Sequence, residues 1–399
     1  MAFISKRFYR LLDLLLSRFL GYSTTVCILF VFSLNSLIGQ EKIPAVEFEG
    51  AYTFDLASNL HGGIKQGNAY LGNVDLSFDF DTERLKLWKR GNFFVYLLNN
   101  HGDSLSELMG DYQVANNIEA ASHTRLYELW YQHNFDFWSI LIGQHDLNSV
   151  FAVSEVGLFF INSSFGIQPD LSTNFPASIF PLATLGSVIS WRIGDRFKVH
   201  HAIYDGDPGT ENSNPNSLNW SLNKEEGALL INEVQYTTQK DSLQQSSFKF
   251  GYWRHTQDRV VDQMSYTNSQ GVYFINDHVM HRNKTNGGVL STFSQLGFSL
   301  NKHNPVQAYF GGGLLYQGIS PKRTQDGIGL AIAHTYFSDS YKSNFKKGLK
   351  NETALELSYH WITKGRWTFQ PNVQWILNPG SNSEIPNALM GLIRFGLSW

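Results

Sequence analysis

Beyond residue 40, the chain alternates apolar and polar residues in segments of about ten. Between residues 352 and 361, every second position from Leu355 to Trp361 is apolar or aromatic, and the positions between them are polar or small. Successive side chains of a β-strand point to opposite faces, so this period predicts a strand with one apolar and one polar face. Seven further segments show the same pattern: 126–134, 197–204, 229–236, 248–255, 329–337, 367–375 and 389–399.

Stretches rich in Gly, Asn, Asp, Ser and Pro separate these segments, as at residues 205–209. Repeated strands bounded by turns predict an all-β chain, either a sandwich of two sheets or a closed barrel. The apolar faces are rich in Tyr, Phe and Trp, often at segment ends, which favours the aromatic girdles of an outer-membrane barrel over a sandwich core. We therefore predict a transmembrane antiparallel β-barrel of the outer-membrane type and keep a secreted β-sandwich as the alternative.

Composition and the last residue support the barrel. Aromatic residues make up 15% of the chain and charged residues 16%, with a formal net charge of −3. This balance argues against a disordered chain, and it offers no basic surface for nucleic acid. The final segment ends on Trp399, as bacterial outer-membrane barrels commonly do. At roughly 20 to 24 residues for each strand and its connection, we expect about 16 strands around an aqueous lumen.

Residues 1–40 differ from the rest of the chain. Four Lys and Arg residues lead to an apolar run at 24–32, and small and polar residues follow. A charged region before an apolar run that is too short to span a membrane comfortably predicts a secretory signal peptide, with a membrane anchor as the alternative. We expect residues 41–399 to form the barrel domain. No later window has 18 consecutive apolar residues, so we expect no transmembrane helix there.

Several stretches carry a more specific signal. They include SHTRLYELWYQ at 122–132, GQHDLN at 143–148, FFINSSFG at 159–166, NFPASIFP at 174–181, IYDGDP at 203–208 and the segment 352–380. In these stretches, and in their order from about Glu49 to Trp399, the chain resembles the carbohydrate-selective porins of the OprB family. The resemblance implies a 16-stranded channel in the bacterial outer membrane that lets sugars diffuse into the periplasm through a narrow, polar and charged constriction. It implies carbohydrates and outer-membrane lipid as partners, and it leaves a monomer or a homotrimer open.

Such a channel needs lumen groups that replace water around a solute and still release it. The polar positions of the alternating segments are the candidates, although each could equally be an ordinary solvated side chain. Arg125 has the opposite parity to Glu128, so we expect it at a strand end or in a β-bulge instead of facing the lumen, and its place in the SHTRLYELWYQ stretch keeps it a candidate. The channel-lining candidates on strands are Arg125, Glu128, Gln132, Glu233, Glu356, Gln374 and Arg394.

Residues 150–181 alternate poorly and contain many Asn, Ser, Phe and Pro residues. We expect this stretch to fold into the lumen as a constriction loop. Its Phe residues could stack on sugar faces or anchor the loop to the barrel wall. The candidates for contact with sugar hydroxyls in and beside this loop are Asp146, Asn148, Asn162 and Asn174.

The sequence gives little support for an enzyme or for a metal site. The chain has no His-Glu-x-x-His, no Gly-x-Ser-x-Gly and no Gly-rich phosphate loop with Lys, so we expect no enzyme. Asp205, Asp207 and Glu211 resemble part of a calcium loop, but Gly209 replaces an oxygen ligand, so we expect neither metal nor cofactor. Mixed acidic, basic and amide groups favour neutral solutes. The alternatives are a general or anion-preferring porin and, from another class, a secreted glycan-binding β-sandwich.

Overall fold

The computed structural model describes residues 44–238, 245–257, 259–261, 264–266, 269–283, 287–343, 348–363 and 366–399. The expected signal peptide lies outside these residues. Within them, sixteen antiparallel strands form one closed barrel, and two further strands form a separate hairpin. Closure into a single sheet replaces the two packed sheets of the alternative sandwich.

The first nine strands all belong to the barrel. They are β1 (Val46–His61), β2 (Gly67–Asp81), β3 (Gly91–Gly102), β4 (Thr124–Asn134), β5 (Trp138–His145), β6 (Thr184–Ile193), β7 (Phe197–Asp205), β8 (Ala228–Thr237) and β9 (Ser246–His255). The separate hairpin follows, formed by β10 (Arg259–Val261) and β11 (Met264–Tyr266). The last seven barrel strands are β12 (Gln270–Arg282), β13 (Val289–Ser299), β14 (Val306–Gln317), β15 (Gly327–Phe337), β16 (Asn351–Ile362), β17 (Trp367–Leu377) and β18 (Ala388–Ser398).

In the part of the chain that the structure describes, four short α-helices lie in the connections between these strands. They are α1 (Ser106–Met109), α2 (Ser163–Gly166), α3 (Pro169–Ser172) and α4 (Asp339–Lys342). Among the described residues, no helix has the length and the apolar character needed to cross a membrane.

Each barrel strand pairs with its neighbours along the chain, except that β9 pairs with β12 across the β10–β11 hairpin. The barrel closes where β1 pairs with β18, from Ala51 opposite Ser398 to His61 opposite Leu389. This closure leaves no free strand edge, so the backbone groups of every barrel strand have partners on both sides.

The predicted alternation is confirmed, and it sorts side chains between lipid and lumen. On β16, Leu357 and Trp361 are 49% and 40% exposed on the outer surface. Glu352 and Glu356 have the opposite parity along this strand, point inward and are fully buried. An outer surface of exposed apolar residues around a polar interior is the arrangement that a bilayer requires.

The two ends of the barrel carry different connections. Both ends of the described chain lie at one end of the barrel, where turns such as 135–137 and 194–196 are short. The opposite end carries the long connections 103–123, 146–183 and 206–227. Outer-membrane barrels have short periplasmic turns and longer extracellular loops, which identifies the end with the termini as periplasmic.

Strand β4 contains a bulge close to Arg125, at Tyr127, but Arg125 itself is paired and points inward, whereas it was expected to face away from the lumen. On β3, Tyr96 pairs with Glu128 of β4, whereas the next residue, Leu97, pairs with Leu126. One extra residue of β4 therefore lies between these pairs, which reverses the parity of the strand. As a result, both Glu128 and Arg125 point into the barrel, and both are buried.

Candidate functional site

Two of the long extracellular connections fold into the barrel. The first inward loop is residues 103–123, which contain α1, and the second inward loop is residues 146–183, which contain α2 and α3. Met109 of the first loop and Phe165 and Leu171 of the second are fully buried inside the barrel. The predicted constriction loop at 150–181 is therefore confirmed, whereas the first inward loop was not foreseen.

A carboxylate on the wall holds the first inward loop. Glu352 of β16 accepts hydrogen bonds from the backbone N–H groups of Tyr112 and Gln113, at 2.8 and 2.9 Å. It also accepts one from the N–H of Gly380, in the connection between β17 and β18, at 2.6 Å. Three backbone donors around one side chain satisfy both carboxylate oxygens, as a buried charge requires.

A second wall carboxylate, four residues further along β16, holds the second inward loop. Glu356 accepts from the backbone N–H groups of Ile161 and Asn162, at 2.8 and 2.9 Å. The side-chain amide of Asn372, on neighbouring β17, donates to the same carboxylate at 2.6 Å. Glu352 and Glu356 thus each fix the backbone of a different inward loop.

The opposite part of the wall binds the start of the second inward loop. Glu233 of β8 accepts from the N–H of Ala152 at 2.9 Å, and Asp277 of β12 accepts from the hydroxyl of Ser154 at 2.6 Å. The ammonium of Lys249 on β9 donates to the carbonyl of the loop residue between them at 2.6 Å. Both ends of this segment of backbone are therefore attached to strands.

Wall amides and a wall hydroxyl bind the carbonyl groups of both loops. The donor pairs are Gln374 with Ala115 at 2.8 Å, Gln370 with Phe159 at 2.8 Å, Gln295 with Phe165 at 3.0 Å, and Tyr309 with Ser164 at 2.9 Å. Because buried carbonyls are costly when unpaired, these side chains make it possible for irregular backbone to lie inside the barrel.

Apolar contacts also hold the second inward loop against the barrel wall. The rings of Phe160 and Phe165 lie 5.6 and 5.7 Å from the ring of Phe293 on β13. Gly329 of β15 leaves the space that Phe160 occupies, since an added Cβ there would lie 2.7 Å from that ring. Phe160 and Phe165 thus anchor the loop to the wall, which is one of the two roles considered for them.

Several predicted site residues are buried in these contacts. Asn174 shows how complete such contacts are, because its amide oxygen accepts from the N–H of Val306 at 2.9 Å and its amide nitrogen donates to the carbonyl of the same residue at 2.8 Å. Contact of these buried residues with a sugar stays a prediction, and in the structure they hold strands and loops together. They are Arg125, Asn162, Asn174, Glu233, Glu356 and Gln374.

Two of the predicted arginines form ion pairs. Arg394 donates to both carboxylate oxygens of Asp55, at 2.9 and 2.7 Å, across the β1–β18 seam. Asn116 of the first inward loop bonds to both of these side chains. Arg125 pairs with Glu211, in the 206–227 connection, at 2.6 Å. Both guanidinium groups therefore tie connections to the wall.

The wall formed by β2, β3 and β4 carries a different group of residues. Asp75 accepts from the hydroxyl of Tyr96 at 2.6 Å, and Glu128 accepts from the indole N–H of Trp130 at 2.9 Å. Asp146, at the start of the second inward loop, donates its backbone N–H to Glu128 at 3.3 Å. Burial raises the pKa of the Asp146 carboxyl to about 6. Asp75, Tyr96, Trp130 and Asp146 are half-buried and line one side of the lumen, with Glu128 buried beside them.

The remaining predicted residues have local contacts. Asn148 donates its backbone N–H to the side chain of Asp146 at 2.8 Å and so caps a short turn of the second inward loop. Gln132, near the periplasmic end of β4, donates to Asn134 at 2.7 Å. Asp75 was not among the predicted residues, although alternation in β2 places it between inward-facing Asn73 and Ser77 and could have identified it.

No cluster of three or more His, Cys, Asp or Glu residues suited to a metal ion occurs in the part of the chain that the structure describes. In the region that resembles a calcium loop, Glu211 bonds to Arg125, and Asp207 accepts from the N–H of Gly209.

A closed antiparallel barrel with an apolar outer surface, a polar interior and inward-folded loops defines an outer-membrane porin. The family model of the carbohydrate-selective porins, OprB family, matches residues 65–398 of this chain. The chain therefore belongs to this family. It is accordingly a channel of the bacterial outer membrane.

Individual relatives agree with this assignment. Porin B of Pseudomonas aeruginosa is 25% identical over 401 residues, covering 87% of this chain and 86% of that protein. The high-pH structure of Pseudomonas putida OprB has a TM-score of 0.79 and 19% identity, covering 89% of this chain and 94% of that one. The low-pH structure of the same protein has a TM-score of 0.58 and 16% identity, with 89% and 93% covered. At these identities, the two structures show the fold.

Proposed function

We propose that this porin lets neutral sugars diffuse passively into the periplasm, without making or breaking bonds, through a lumen narrowed by the two inward loops. The observation that carries the proposal is that two parts of the inner barrel wall have different roles. Wall residues from β8 to β17 hold most of the loop backbone, whereas the wall of β2 to β4, where Glu128 accepts one loop N–H, keeps carboxylates and aromatic rings on its inner face. Weak contacts with hydroxyl groups at such a wall would favour sugars and still release them.

The charge of this wall favours neutral solutes over anions. Asp75, Glu128 and Asp146 form no ion pair with any residue that the structure describes. Carboxylates that form no ion pair repel phosphates and other anions in a narrow channel. This supports a sugar channel over an anion-preferring porin, which remains the second candidate within transport.

A liposome-swelling assay with purified, refolded protein tests the proposal. The solutes are a neutral monosaccharide, a disaccharide, a neutral amino acid of similar size to the monosaccharide, and a sugar phosphate. We expect the monosaccharide to enter faster than the size-matched amino acid and much faster than the sugar phosphate. Swelling that follows solute size alone would indicate a general porin, and fastest entry of the sugar phosphate would indicate an anion channel.

Three further expectations belong to the same proposal. Outer-membrane lipid would contact the exposed apolar surface, residues 1–40 would be removed as a signal peptide, and the protein would act as a monomer or a homotrimer. Sequencing the N-terminus of the protein isolated from outer membranes tests the second expectation, and its mass in detergent tests the third. An N-terminus at Met1 would contradict removal of the signal peptide.

A further inference from the structure

A cavity of about 700 Å³ lies against the inner wall near the periplasmic end, and we call it the periplasmic cavity. Strands β1, β2 and β3, the end of β18 and the turn before β17 surround it. Its lining includes the charged residues Glu49, Asp75 and Arg366 and the aromatic residues Phe94 and Tyr96. This volume is ample for one sugar ring, and a mixed lining with a few polar groups is typical of small-molecule sites.

Aromatic rings form a continuous strip beside this cavity. The ring of Phe94 stacks on that of Trp130 on β4, with centroids 4.9 Å apart and planes at 24°. The ring of Tyr96 lies 6.2 Å from Phe94 in an edge-on arrangement. Every other inward-facing Phe, Tyr or Trp on the described barrel strands is buried, whereas these three are half-buried. They therefore present apolar ring surface to an aqueous lumen, which is unfavourable unless a solute covers it.

A carboxylate is fixed next to the strip. The amide of Asn73 donates to both oxygens of Asp75, at 2.7 and 2.8 Å, and the hydroxyl of Tyr96 donates to one of them at 2.6 Å. An ionised carboxylate can accept about four hydrogen bonds, so these three leave capacity for another donor. The position of that acceptor is set in advance because both partners belong to strands β2 and β3.

The combination of these groups selects a chemical class of ligand. A pyranose ring has an apolar face of C–H groups, which packs on aromatic rings, and an edge of hydroxyl donors, which carboxylates accept. The two carboxylates of the cavity, Glu49 and Asp75, outnumber its one guanidinium, Arg366, which disfavours phosphorylated sugars.

We propose that the periplasmic cavity is a subsite that holds one neutral pyranose as it leaves the channel. Phe94 and Tyr96 pack against the C–H face of the sugar, and Asp75 accepts hydrogen bonds from its hydroxyls. This subsite rests on the proposed sugar-channel function and adds to it a binding site on the periplasmic side of the inward loops. The sugar is held weakly there, because one open ring strip and one carboxylate surround only part of it.

The test is the reduction of ion current through single channels in a planar bilayer by glucose, a neutral pyranose. Sorbitol, a six-carbon polyol without a ring, is the solute control. Phe94→Leu keeps apolar volume but removes the ring, and Asp75→Asn keeps the shape but removes the charge. We expect each variant to raise the half-blocking concentration of glucose by about fivefold to tenfold. The weak response to sorbitol stays as in the wild type, and each half-blocking concentration is normalised to the sugar-free current of the same variant.

Phe93→Leu is the matched control, because Phe93 lies on the same strand with its ring exposed on the outer surface. We expect this variant to respond to glucose as the wild type does. If the wild type responds to glucose and both inward variants respond equally well, the subsite is wrong while the sugar channel stands. If the wild type does not respond to glucose at all, the proposed function fails and the subsite fails with it.

Discussion

Replacing Glu356 by alanine tests whether wall carboxylates hold the second inward loop. In the wild type this carboxylate accepts from the N–H groups of Ile161 and Asn162 at 2.8 and 2.9 Å. The alanine variant leaves both donors buried without an acceptor, at a cost of about 1–3 kcal/mol each. The seated loop is thus destabilised by about 2–6 kcal/mol. Removal of a buried charge offsets part of this loss, so we expect the lower end of the range.

A change of about 2 kcal/mol lowers the ratio of seated to released loop by roughly 30-fold. Because the loop narrows the lumen, its release widens the channel. We therefore expect Glu356→Ala to show a higher mean single-channel conductance and frequent jumps between conductance levels. Glu356→Gln keeps one acceptor oxygen and is expected to lie between alanine and the wild type.

Glu155→Ala is the matched control, since Glu155 lies in the same loop but is exposed. We expect it to conduct as the wild type does. A shift in gel migration between unboiled and boiled samples verifies that each variant forms a barrel. If folded Glu356→Ala channels showed the conductance and current noise of the wild type, the assignment of Glu356 as a loop anchor would be refuted.

Three other changes test separate parts of the structure. Gly50→Ala places a methyl group 2.3 Å from the ring of the last residue, so its barrel should unfold in the gel assay at a lower temperature, whereas Gly166→Ala, with open space around the added Cβ, should match the wild type. Arg125→Met breaks the ion pair with Glu211, and we expect protease to cleave the loop that carries Glu211 faster; an equal cleavage rate would contradict this. Burial raises the pKa of Asp170 to about 7, whereas an unfolded chain releases this proton near pH 4, so stability falls as pH rises between these values. Asp170→Asn should therefore have a higher melting temperature than the wild type at pH 8 but not at pH 4. The same difference in melting temperature at both pH values would contradict this.

Local periodicity was sufficient to predict the barrel wall. Residues 352–361 alternate in the sequence, and in β16 the same residues alternate between the outer surface and the interior. This worked because each side of a barrel wall has one environment along its whole length, so that every strand repeats one pattern. An irregularity in β4 was also foreseen, because the parity of Arg125 conflicts with that of Glu128, but the bulged residue is Tyr127 and Arg125 points inward.

The contacts of the inward residues could not be predicted in the same way. Alternation correctly predicted that Glu356 points inward, but its hydrogen-bond partners lie 194 and 195 residues away in the chain. Parity gives the face of a residue and carries no information about which loop will cover that face. For this reason, Glu356 was expected to line open lumen, whereas the structure buries it under the second inward loop.

The first inward loop shows another limit of sequence reasoning. Residues 103–123 resemble an ordinary polar connection, and their position depends on distant acceptors and donors such as Glu352 and Gln374. The second inward loop was easier to recognise, because residues 150–181 are long and rich in Phe, which an exposed connection rarely is. Length and apolar content thus indicate burial, while polar loops give no such signal.

The most direct test of sugar selectivity is the initial rate of entry of labelled glucose into proteoliposomes as the glucose concentration increases. A channel that binds the sugar during passage has a limited number of occupied sites, so we predict a rate that saturates. An excess of unlabelled glucose should lower the entry of the label, and an equal excess of sorbitol should not. A rate that increases linearly over the whole range, with no competition by glucose, would contradict a carbohydrate-selective channel.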